Sequence, residues 1–429
     1  MNDMDQSSQT PLVDPAAPVR IYGRPGSSTA YTIRDFLHRS DVPFEWIPLA
    51  DDADARQRAG VESLHDSRLP LCVFPDGTRM TCPTVRQITE KLGWFHDPCR
   101  SQYDLAIYGA GPAGLSAAVY AASEGLKTVV IERSAIGGQA GTSSKIENYL
   151  GFPDGISGND LAVRAREQAS RFGAEFLVAR EGVRAEFHEG IGTGFLADGT
   201  KIVARASLCS TGVVYSRLGV DREDDFLGSG VYYGAGASEA LLCRGTHVFV
   251  VGGGNSAGQA AMHFSRYASK VSVLIRDESL RSTLSNYLVD RITAAPNIEV
   301  IPWSEVTGLI GGECLDAIRI TNRQSGKEET VDTHWLFVCI GGAPQTEWAA
   351  QLGISRDAEG YLMTGPDLLT GGKRPPSWPL ERNPYYLETS SPGLFAAGDV
   401  RHGSVKRCAS AVGEGAMSIA FVHRYLNGD

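Results

Sequence analysis

Three glycine-containing segments could take part in chemistry, and the first two have the residue types and spacing needed to bind phosphate groups. In the first, Gly109, Gly111 and Gly114 form a GxGxxG motif between the strand-like YDLAIY and a helical segment. Gly109 permits a tight turn, Gly111 lets backbone N–H groups approach a pyrophosphate, and the helix N-terminus offers partial positive charge. The next strand-like segment, TVVIE, ends in Glu132, where a carboxylate accepts hydrogen bonds from a ribose diol. Together these residues predict a dinucleotide site.

The second segment is GGGNSAGQAA, which follows the apolar THVFVV. Gly252, Gly254 and Ala257 give a GxGxxA pattern, and the helix after it has a small apolar face. Because the spacing and setting repeat those of the first motif, we expect a second dinucleotide site here.

Charges after the next strand bear on which nucleotide binds at this second motif. The next strand lies in the segment KVSVLIRDESLR and is expected to end at Arg276. An arginine at this position can face a 2′-phosphate and so favours NADPH over NADH. Arg281 adds a second positive charge, whereas Asp277 would repel a phosphate or bind a free 2′-hydroxyl. Arg276 as a solvated surface charge is the alternative.

The third segment is GLFAAGDV, an apolar strand that ends in Gly398 and Asp399. A helix that opens with small residues follows it, so Asp399 suits a polar arm of a cofactor, with a simple helix N-cap as the alternative. Two Rossmann units and a terminal Gly-Asp strand imply two dinucleotides that face each other, which is the layout of a flavoprotein reduced by a nicotinamide.

The elements that must position these motifs alternate between strands and helices. Over residues 103–429 this alternation predicts an α/β fold with parallel sheets and crossover helices. We expect an FAD-binding domain in two parts, 103–216 and 338–429, interrupted by an NAD(P)H-binding domain at 217–337. Residues 18–97 form a separate compact unit after a polar, Pro-rich lead, 1–17, that is expected to be disordered.

Composition narrows the class of protein. The chain has 429 residues and a net charge of −10, which argues against binding nucleic acid or a membrane surface. Neither a membrane span nor a secretory signal is evident, so a cytoplasmic location is expected. Among the eight cysteines no two lie closer than ten residues, which excludes a CxxC pair and a metal knuckle, and most sit in apolar surroundings. No metal is expected.

Residues 103–429 resemble the low-molecular-weight thioredoxin reductases, which are FAD- and NAD(P)-dependent pyridine nucleotide-disulfide oxidoreductases. The resemblance is carried by GAGPAGLSAAVYA, GGQAGTSSKIENYLGFP, STG, VVGGGNSAGQAA, FVCIGGAP and GLFAAGDV. It implies a homodimer and an NAD(P)H domain that rotates relative to the FAD domain. It also implies sets of cofactor-binding residues. For FAD these are Gly109, Gly111, Pro112, Ala113, Gly114, Glu132, Gly138, Gln139, Asn148, Thr211, Gly212, Gly398, Asp399, Lys406, Arg407 and Cys408. For NADPH or NADH they are Gly252, Gly254, Asn255, Ser256, Ala257, Arg276 and Arg281.

The chain departs from this family where the family carries its redox-active CxxC. The aligned stretch is GVYYGAGASEALLC, in which Gly234 and Ala237 replace the cysteines and Ser238 replaces the acid that follows them. A dithiol relay needs one thiolate to attack and a second to resolve the disulfide, and glycine and alanine do neither. The usual second half-reaction is therefore expected to be missing.

Residues 18–97 show a parallel departure. They resemble the glutaredoxin and thioredoxin folds, with a strand from Val19 to Tyr22, a helix from about Ser28 and a Leu69-Pro70 pair expected to be cis. The CxxC of those folds is replaced by SSTA, residues 27–30. Without the CxxC thiols this unit is expected to dock a partner protein or to cover the flavin site.

Lys406, Arg407 and Cys408 stand where thioredoxin reductases place residues beneath the flavin ring. A cation there would stabilise an anionic reduced flavin. Cys408 is a weak candidate for a redox-active thiol, with a buried packing residue as the alternative. His402 is a weak candidate for a proton donor, with an inert loop histidine as the alternative.

Three functional hypotheses follow. In the first, an FAD enzyme accepts hydride from NAD(P)H and passes electrons to an unidentified acceptor: a disulfide or dithiol substrate, a quinone, oxygen or a one-electron redox protein. In the second, a flavin-bearing sensor binds a partner through residues 18–97. In the third, a disulfide reductase uses Cys408 or Cys82 on a mobile segment.

Overall fold

A computed structural model describes residues 17–188, 190–234 and 236–428. The lead expected to be disordered, 1–17, lies outside the described residues except for its last position. No helix among the described residues is long and apolar enough to cross a membrane.

Residues 17–97, here called the N-terminal unit, form a four-stranded sheet flanked by helices. The strands are β1 Val19–Gly23, β2 Phe44–Pro48, β3 Leu71–Val73 and β4 Arg79–Thr81, in the order β2-β1-β3-β4. β1 runs parallel to β2 and antiparallel to β3. The helices are α1 Ser28–Arg39, α2 Asp52–Asp54, which continues into a π-turn, and α3 Val85–Lys91.

Two features of this unit were anticipated. Helix α1 begins at Ser28, and the Ser27 side chain caps it by accepting a hydrogen bond from the Ala30 N–H at 3.2 Å. The Leu69–Pro70 peptide bond is cis, as hypothesised. Ser27 therefore acts as a helix cap at a position where the resemblance would place a thiol.

Residues 103–216 and 339–428, here called the first Rossmann unit, share one sheet. The chain runs through β5 Tyr103–Tyr108, α4 Pro112–Ser123, β6 Thr128–Glu132, α5 Gly158–Arg171, β7 Glu175–Val178, β8 Gly182–His188, β9 Ile191–Leu196, β10 Lys201–Cys209 and β11 Val214–Tyr215. The sheet order is β7-β6-β5-β10-β9-β8, whereas β11 pairs antiparallel with residues 342–343 in a separate two-stranded sheet.

The later part of the chain returns to this sheet, as expected for a discontinuous domain. The remaining elements are β20 Gly342–Ala343, α8 Glu347–Gln351, β21 Leu394–Ala396 and α9 Cys408–Asn427. β21 pairs in parallel with β10, and α9 packs along α4. Helix α4 is buried on nearly all sides as a result.

Residues 217–338, here called the second Rossmann unit, contain a five-stranded parallel sheet in the order β12-β19-β13-β14-β15. Its elements are β12 Val231–Tyr233, β13 His247–Val251, α6 Asn255–Phe264, β14 Lys270–Leu274, α7 Asn286–Ala294, β15 Ile298–Ile301 and β19 Leu336–Val338. Between β15 and β19, strands β16 Ser304–Gly311, β17 Leu315–Asn322 and β18 Glu328–Asp332 form an antiparallel layer.

The expectation of purely parallel sheets was incomplete. The β8–β9 and β16–β17–β18 connections are antiparallel, because short links between strands make hairpins, whereas parallel pairs need a crossover. The α/β class and the two Rossmann units are confirmed.

Candidate functional site

The first glycine turn makes close contacts with the residue that follows the neighbouring strand β10. Gly109 has φ +104°, and a Cβ there would lie 2.5 Å from the carbonyl oxygen of Ser210. A Cβ on Gly114 would overlap the Gly109 carbonyl. Gly111 caps α4 with Pro112 as the first helical residue. The turn therefore leaves the N-terminus of α4 open at the carboxyl end of the sheet, as the motif predicts.

Glu132 stands beside this turn. It is the last residue of β6, is buried, and accepts hydrogen bonds of 2.8 Å from the N–H groups of Ala110 and Ser134. These bonds fix the carboxylate at the strand end, the position a ribose-binding acid would take.

A loop after β6 closes over the same turn. A Cβ on Gly138 would lie 3.0 Å from the Gly111 Cα, and the Gln139 side chain donates to the Val213 carbonyl at 2.7 Å. Gln139 is thereby brought next to Thr211 and Gly212. Asn148 is exposed, and among the residues described no hydrogen bond joins it to this group.

The start of α9 completes the group. A Cβ on Gly398 would lie 3.0 Å from the Ala113 Cβ, so the 398–399 turn faces the first turn of α4. The Gly398 N–H donates to the Glu414 carboxylate at 2.7 Å. Glu414 was not singled out in the sequence, although it lies only six residues into the predicted helix.

Lys406 and Asp399 are neighbours in this turn. The Lys406 ammonium donates to the Asp399 carbonyl at 2.8 Å and lies 4.2 Å from the centre of the Tyr361 ring. Burial raises the pKa of the Asp399 carboxyl, which Lys406 partly offsets, and burial lowers the pKa of Lys406. Arg407 is exposed and caps α9.

Cys408 and His402 occupy different settings. Burial raises the pKa of the Cys408 thiol to about 11, with Asp399 adding to the effect. His402 Nδ1 lies 2.6 Å from the Asp357 carboxylate. Burial alone would raise the pKa of Asp357, but hydrogen bonds from His402, Tyr361 and Glu359 lower it overall. His402 is therefore oriented by an acid, and Cys408 is held as a neutral thiol.

The second glycine turn is built in the same way. A Cβ on Gly252 would overlap the Cys339 carbonyl, whereas one on Gly254, the cap of α6, would meet nothing within 4 Å. Asn255 and Ser285 exchange two hydrogen bonds of 2.9 Å, which tie the start of α6 to the segment before α7. Ser256 is exposed and Ala257 is buried.

Arg276 and Arg281 are exposed, and no ion pair involves either among the residues described. The expectation that the strand ends at Arg276 was wrong, because β14 ends at Leu274. Arg276 therefore lies in the loop after the strand. Both arginines are free to meet a phosphate.

The segment aligned with the family CxxC has no room for a side chain at Gly234. This residue has φ +88°, and a Cβ would lie 2.5 Å from the Tyr215 hydroxyl oxygen. Burial raises the pKa of Tyr215 to about 12. Tyr215 was missed by sequence reasoning, because only folding brings β11 to this turn.

All eight cysteines are free thiols. Cys72, Cys209, Cys243 and Cys339 are buried, and burial raises the pKa of each. Cys314 and Cys408 are half-buried, and Cys82 and Cys99 are exposed. Six of the eight thiols are therefore buried or half-buried.

One mixed cluster lies at the link between the N-terminal and first Rossmann units. Ligand atoms of His96, Cys99 and Glu175 lie within 4.8 Å of one another. Glu175 already accepts hydrogen bonds from the Cys99 N–H at 2.9 Å and the Tyr103 hydroxyl at 2.5 Å. These hydrogen bonds explain why the three side chains lie together: Glu175 holds the linking segment against the first Rossmann unit.

The second Rossmann unit faces the first through α7. Arg291 donates to both oxygens of Glu147 at 2.6 and 2.5 Å. Glu147 belongs to the loop that contains Gln139 and Asn148, so α6 and α7 are turned toward the group of residues around the first glycine turn.

Residues 103–415 match the family described as pyridine nucleotide-disulphide oxidoreductase. The chain is 32% identical to the thioredoxin reductase of Listeria innocua over 326 residues, which covers 76% of this chain and 94% of that protein. It is 32% identical to the Bacillus subtilis thioredoxin reductase over 332 residues, which covers 76% and 95%.

Two solved structures are also similar. Lactococcus lactis thioredoxin reductase in its FR conformation has a TM-score of 0.68 at 26% identity, covering 76% of this chain and all of that one. The T. acidophilum thioredoxin reductase has a TM-score of 0.67 at 29% identity, covering 77% and 99%. The chain therefore belongs to the pyridine nucleotide-disulphide oxidoreductase family, as an α/β oxidoreductase of the group that uses FAD and NADPH.

Proposed function

We propose that this protein transfers hydride from NADPH to FAD and then passes the electrons to an acceptor that meets the flavin directly, without an intervening dithiol. The observation that carries this proposal is Gly234. Neither it nor Ala237 has a sulfur, and the Tyr215 hydroxyl fills the space a side chain at 234 would need.

The residues around the first glycine turn fit FAD. Bare backbone at Gly109, Gly111 and Gly138 leaves room for a pyrophosphate at the N-terminus of α4, and Glu132 is fixed where it accepts from a ribose. Bound FAD supplies a two-electron acceptor for the nicotinamide hydride.

Charges at the start of α9 tune this part of the site. Lys406 brings a positive charge beside the Asp399 turn, which favours negative charge gained on reduction. His402, oriented by Asp357, is the nearest candidate to hold a proton there. Gln139, Thr211 and Gly212 line the same region, whereas Asn148 would have to turn inward to join them.

The residues around the second glycine turn fit NADPH. The cap at Gly254 is open, and Asn255 is held by Ser285, so the N-terminus of α6 is preorganised for a pyrophosphate. Exposed Arg276 and Arg281 supply positive charge for a 2′-phosphate. Asp277, also exposed, keeps NADH open as the alternative donor.

We assign the N-terminal unit to the thioredoxin fold, with SSTA at residues 27–30 in place of the CxxC. Its strand order and the antiparallel β3–β4 pair support this. We propose the domain limits 18–97, 103–216, 217–337 and 338–429. The separate sheets support them, and β19 ends one residue past the third limit, at Val338. Eight free thiols suit a reducing, cytoplasmic location. A homodimer rests on the family resemblance alone.

Anaerobic mixing of the purified yellow protein with NADPH tests the first half-reaction. Rapid bleaching of the oxidised flavin band, followed by reoxidation with a disulfide, a quinone, oxygen or a one-electron protein, is the expected result. A flavin inert to NADPH and NADH but bleached by dithionite would overturn the proposal and favour the sensor hypothesis.

A variant at the second glycine turn makes this test specific. Gly254→Ala adds a methyl group where nothing lies within 4 Å, so the fold is preserved while the approach of a pyrophosphate is hindered. We expect it to keep its flavin and its reduction by dithionite but to lose rapid reduction by NADPH.

A further inference from the structure

We infer that the N-terminal unit is a permanently docked internal partner of the two Rossmann units. It covers the face of the second Rossmann unit around residues 228–239. The other end of α1 binds the first Rossmann unit. The two Rossmann units are thereby held in one relative orientation. The identity of this partner as a thioredoxin fold rests on the proposed function, whereas the clamp itself rests on contacts alone.

The N-terminal end of α1 meets the second Rossmann unit next to the segment aligned with the family CxxC. The Ser229 hydroxyl donates to the Gly26 carbonyl. A Cβ on Gly228 would lie 3.1 Å from the Ser28 Cα and 2.9 Å from the Tyr31 ring. The two places where resemblance predicts thiols, 27–30 and 234–237, therefore belong to segments that pack against each other.

Aromatic packing extends this contact. The Tyr31 ring lies edge-on to Tyr232 with ring centres 5.0 Å apart. Tyr232 stacks in turn on Trp335 and Phe337, at 5.7 and 5.1 Å. Tyr31 thus joins the hydrophobic core of the second Rossmann unit.

One turn further along α1, Arg34 reaches Glu239. Their charged groups lie 3.2 Å apart, and the guanidinium also lies over the Trp46 ring. Burial of such a pair makes the interface specific, because separation would leave a carboxylate without its partner cation.

The C-terminal end of α1 contacts the first Rossmann unit. Arg39 donates to the carbonyl oxygens of Ala135 and Gly138 at 3.2 and 3.1 Å, and the Asn159 amide donates to the His38 carbonyl at 3.1 Å. The buried apolar residues of the N-terminal unit and of the first Rossmann unit form one continuous cluster. Gly138 belongs to the loop proposed to hold FAD.

A single helix of 12 residues, about 18 Å long, therefore bridges both Rossmann units. Rotation of one against the other, which the family resemblance implies, would break one set of contacts. This chain has no CxxC dithiol at residues 234–237 that a rotation could bring to the flavin. The clamp and the missing cysteines are thus parts of one arrangement in which α6 and α7 stay turned toward the flavin site.

Hydrogen–deuterium exchange of the full-length holoprotein tests the clamp. Peptides covering 28–39 and 228–239 are expected to be protected in nucleotide-free protein and to stay equally protected after anaerobic reduction with NADPH. Rapid exchange in the nucleotide-free state, or exchange that rises on reduction, would overturn the inference. Because the first measurement needs no nucleotide, it stands even if NADPH fails to bleach the flavin.

Two variants locate the protection. Tyr31→Ala removes the aromatic contact without leaving a buried charge, and Arg34→Met removes the ion pair; each is expected to speed exchange of 228–239 by at least about tenfold. Arg58→Met, which removes an exposed pair with Asp54 within the N-terminal unit, is the matched control and should change nothing. Equal exchange in all three variants and the wild type would contradict the clamp.

Discussion

Arg34 and Glu239, 205 positions apart in the chain, form an ion pair with side chains only 6% and 0% exposed. One Glu239 oxygen has no hydrogen-bond partner among the described residues. Burial raises the pKa of Glu239, and Arg34 offsets part of that rise. A pair of this kind adds little net stability, but removal of one member typically costs about 3–5 kcal/mol.

The cost of losing Arg34 is expected to depend on pH. The folded-state pKa of Glu239 lies above its ordinary value of 4.5, so the stability it contributes is fully present below that value and is lost as the pH rises through the folded pKa. Arg34→Met raises the folded pKa further. We therefore expect the melting temperature of Arg34→Met to fall well below wild type at pH 8 and to approach it as the pH is lowered toward 5.

The double variant Arg34→Met/Glu239→Gln is the control, because it has no carboxyl to titrate. Its difference from wild type should change much less with pH. A deficit of Arg34→Met that stays constant from pH 8 to pH 5 would show that Glu239 does not titrate in this range and would contradict the explanation.

Gly234→Ala is expected to destabilise the protein more than Gly245→Ala. Both glycines have positive φ, +88° and +73°, so each alanine incurs a backbone penalty of about 1 kcal/mol. Only at Gly234 would the methyl group also meet the Tyr215 hydroxyl, and such overpacking adds roughly 1–3 kcal/mol. Urea unfolding followed by flavin fluorescence and circular dichroism measures the difference.

Tyr215→Phe in the Gly234→Ala background removes the oxygen that the methyl group meets. It should recover part of the lost stability, whereas the same change beside Gly245→Ala should recover none. Equal penalties at the two glycines would mean that Tyr215 does not restrict the CxxC-aligned segment.

Arg276→Ala is expected to raise the KM for NADPH by about tenfold and to leave the KM for NADH nearly unchanged, since a lost charge contact to a 2′-phosphate is worth on the order of 1–2 kcal/mol. Steady-state rates with both nucleotides measure the split. Arg244→Ala, another exposed arginine of the same unit, is the control. A matching loss with both nucleotides would argue that Arg276 does not read the phosphate.

Cys408→Ser is expected to keep turnover with every acceptor within about twofold of wild type. A thiol with a pKa of about 11 is almost wholly protonated at pH 8, and the protonated form is a poor nucleophile. Mass spectrometry after brief iodoacetamide treatment should show much less modification at Cys408 than at the exposed Cys82. Loss of turnover in Cys408→Ser would revive the hypothesis of a disulfide reductase.

Local features of the site were predictable. The turn at Gly109 and the burial of Ala257 and Phe264 depend only on residues that are close together in the sequence. A strand-to-helix turn needs a few residues in fixed order, and the buried face of a helix recurs every three or four residues. The end of β14 was predicted two residues too late, at Arg276 instead of Leu274, because the end of a strand depends on its pairing with the neighbouring strand.

Contacts across long separations were not predictable. Three such contacts join segments whose sequences give no indication that they meet. They are Tyr215 with Gly234, Glu414 with the Gly398 N–H, and Arg34 with Glu239. The antiparallel layer β16–β18 was likewise missed, because strand direction depends on how the chain returns rather than on the strand's composition.

The amino-acid sequence by itself determined the two glycine turns, the acid that follows the first of them and the lack of a CxxC, because these depend on residue type and short spacing. Only the tertiary structure decided that the N-terminal unit is joined to both Rossmann units through α1, since that depends on which buried surfaces meet when distant segments pack. The sequence shows that the CxxC is absent, but only the packing of distant segments places the Tyr215 hydroxyl in the space beside Gly234.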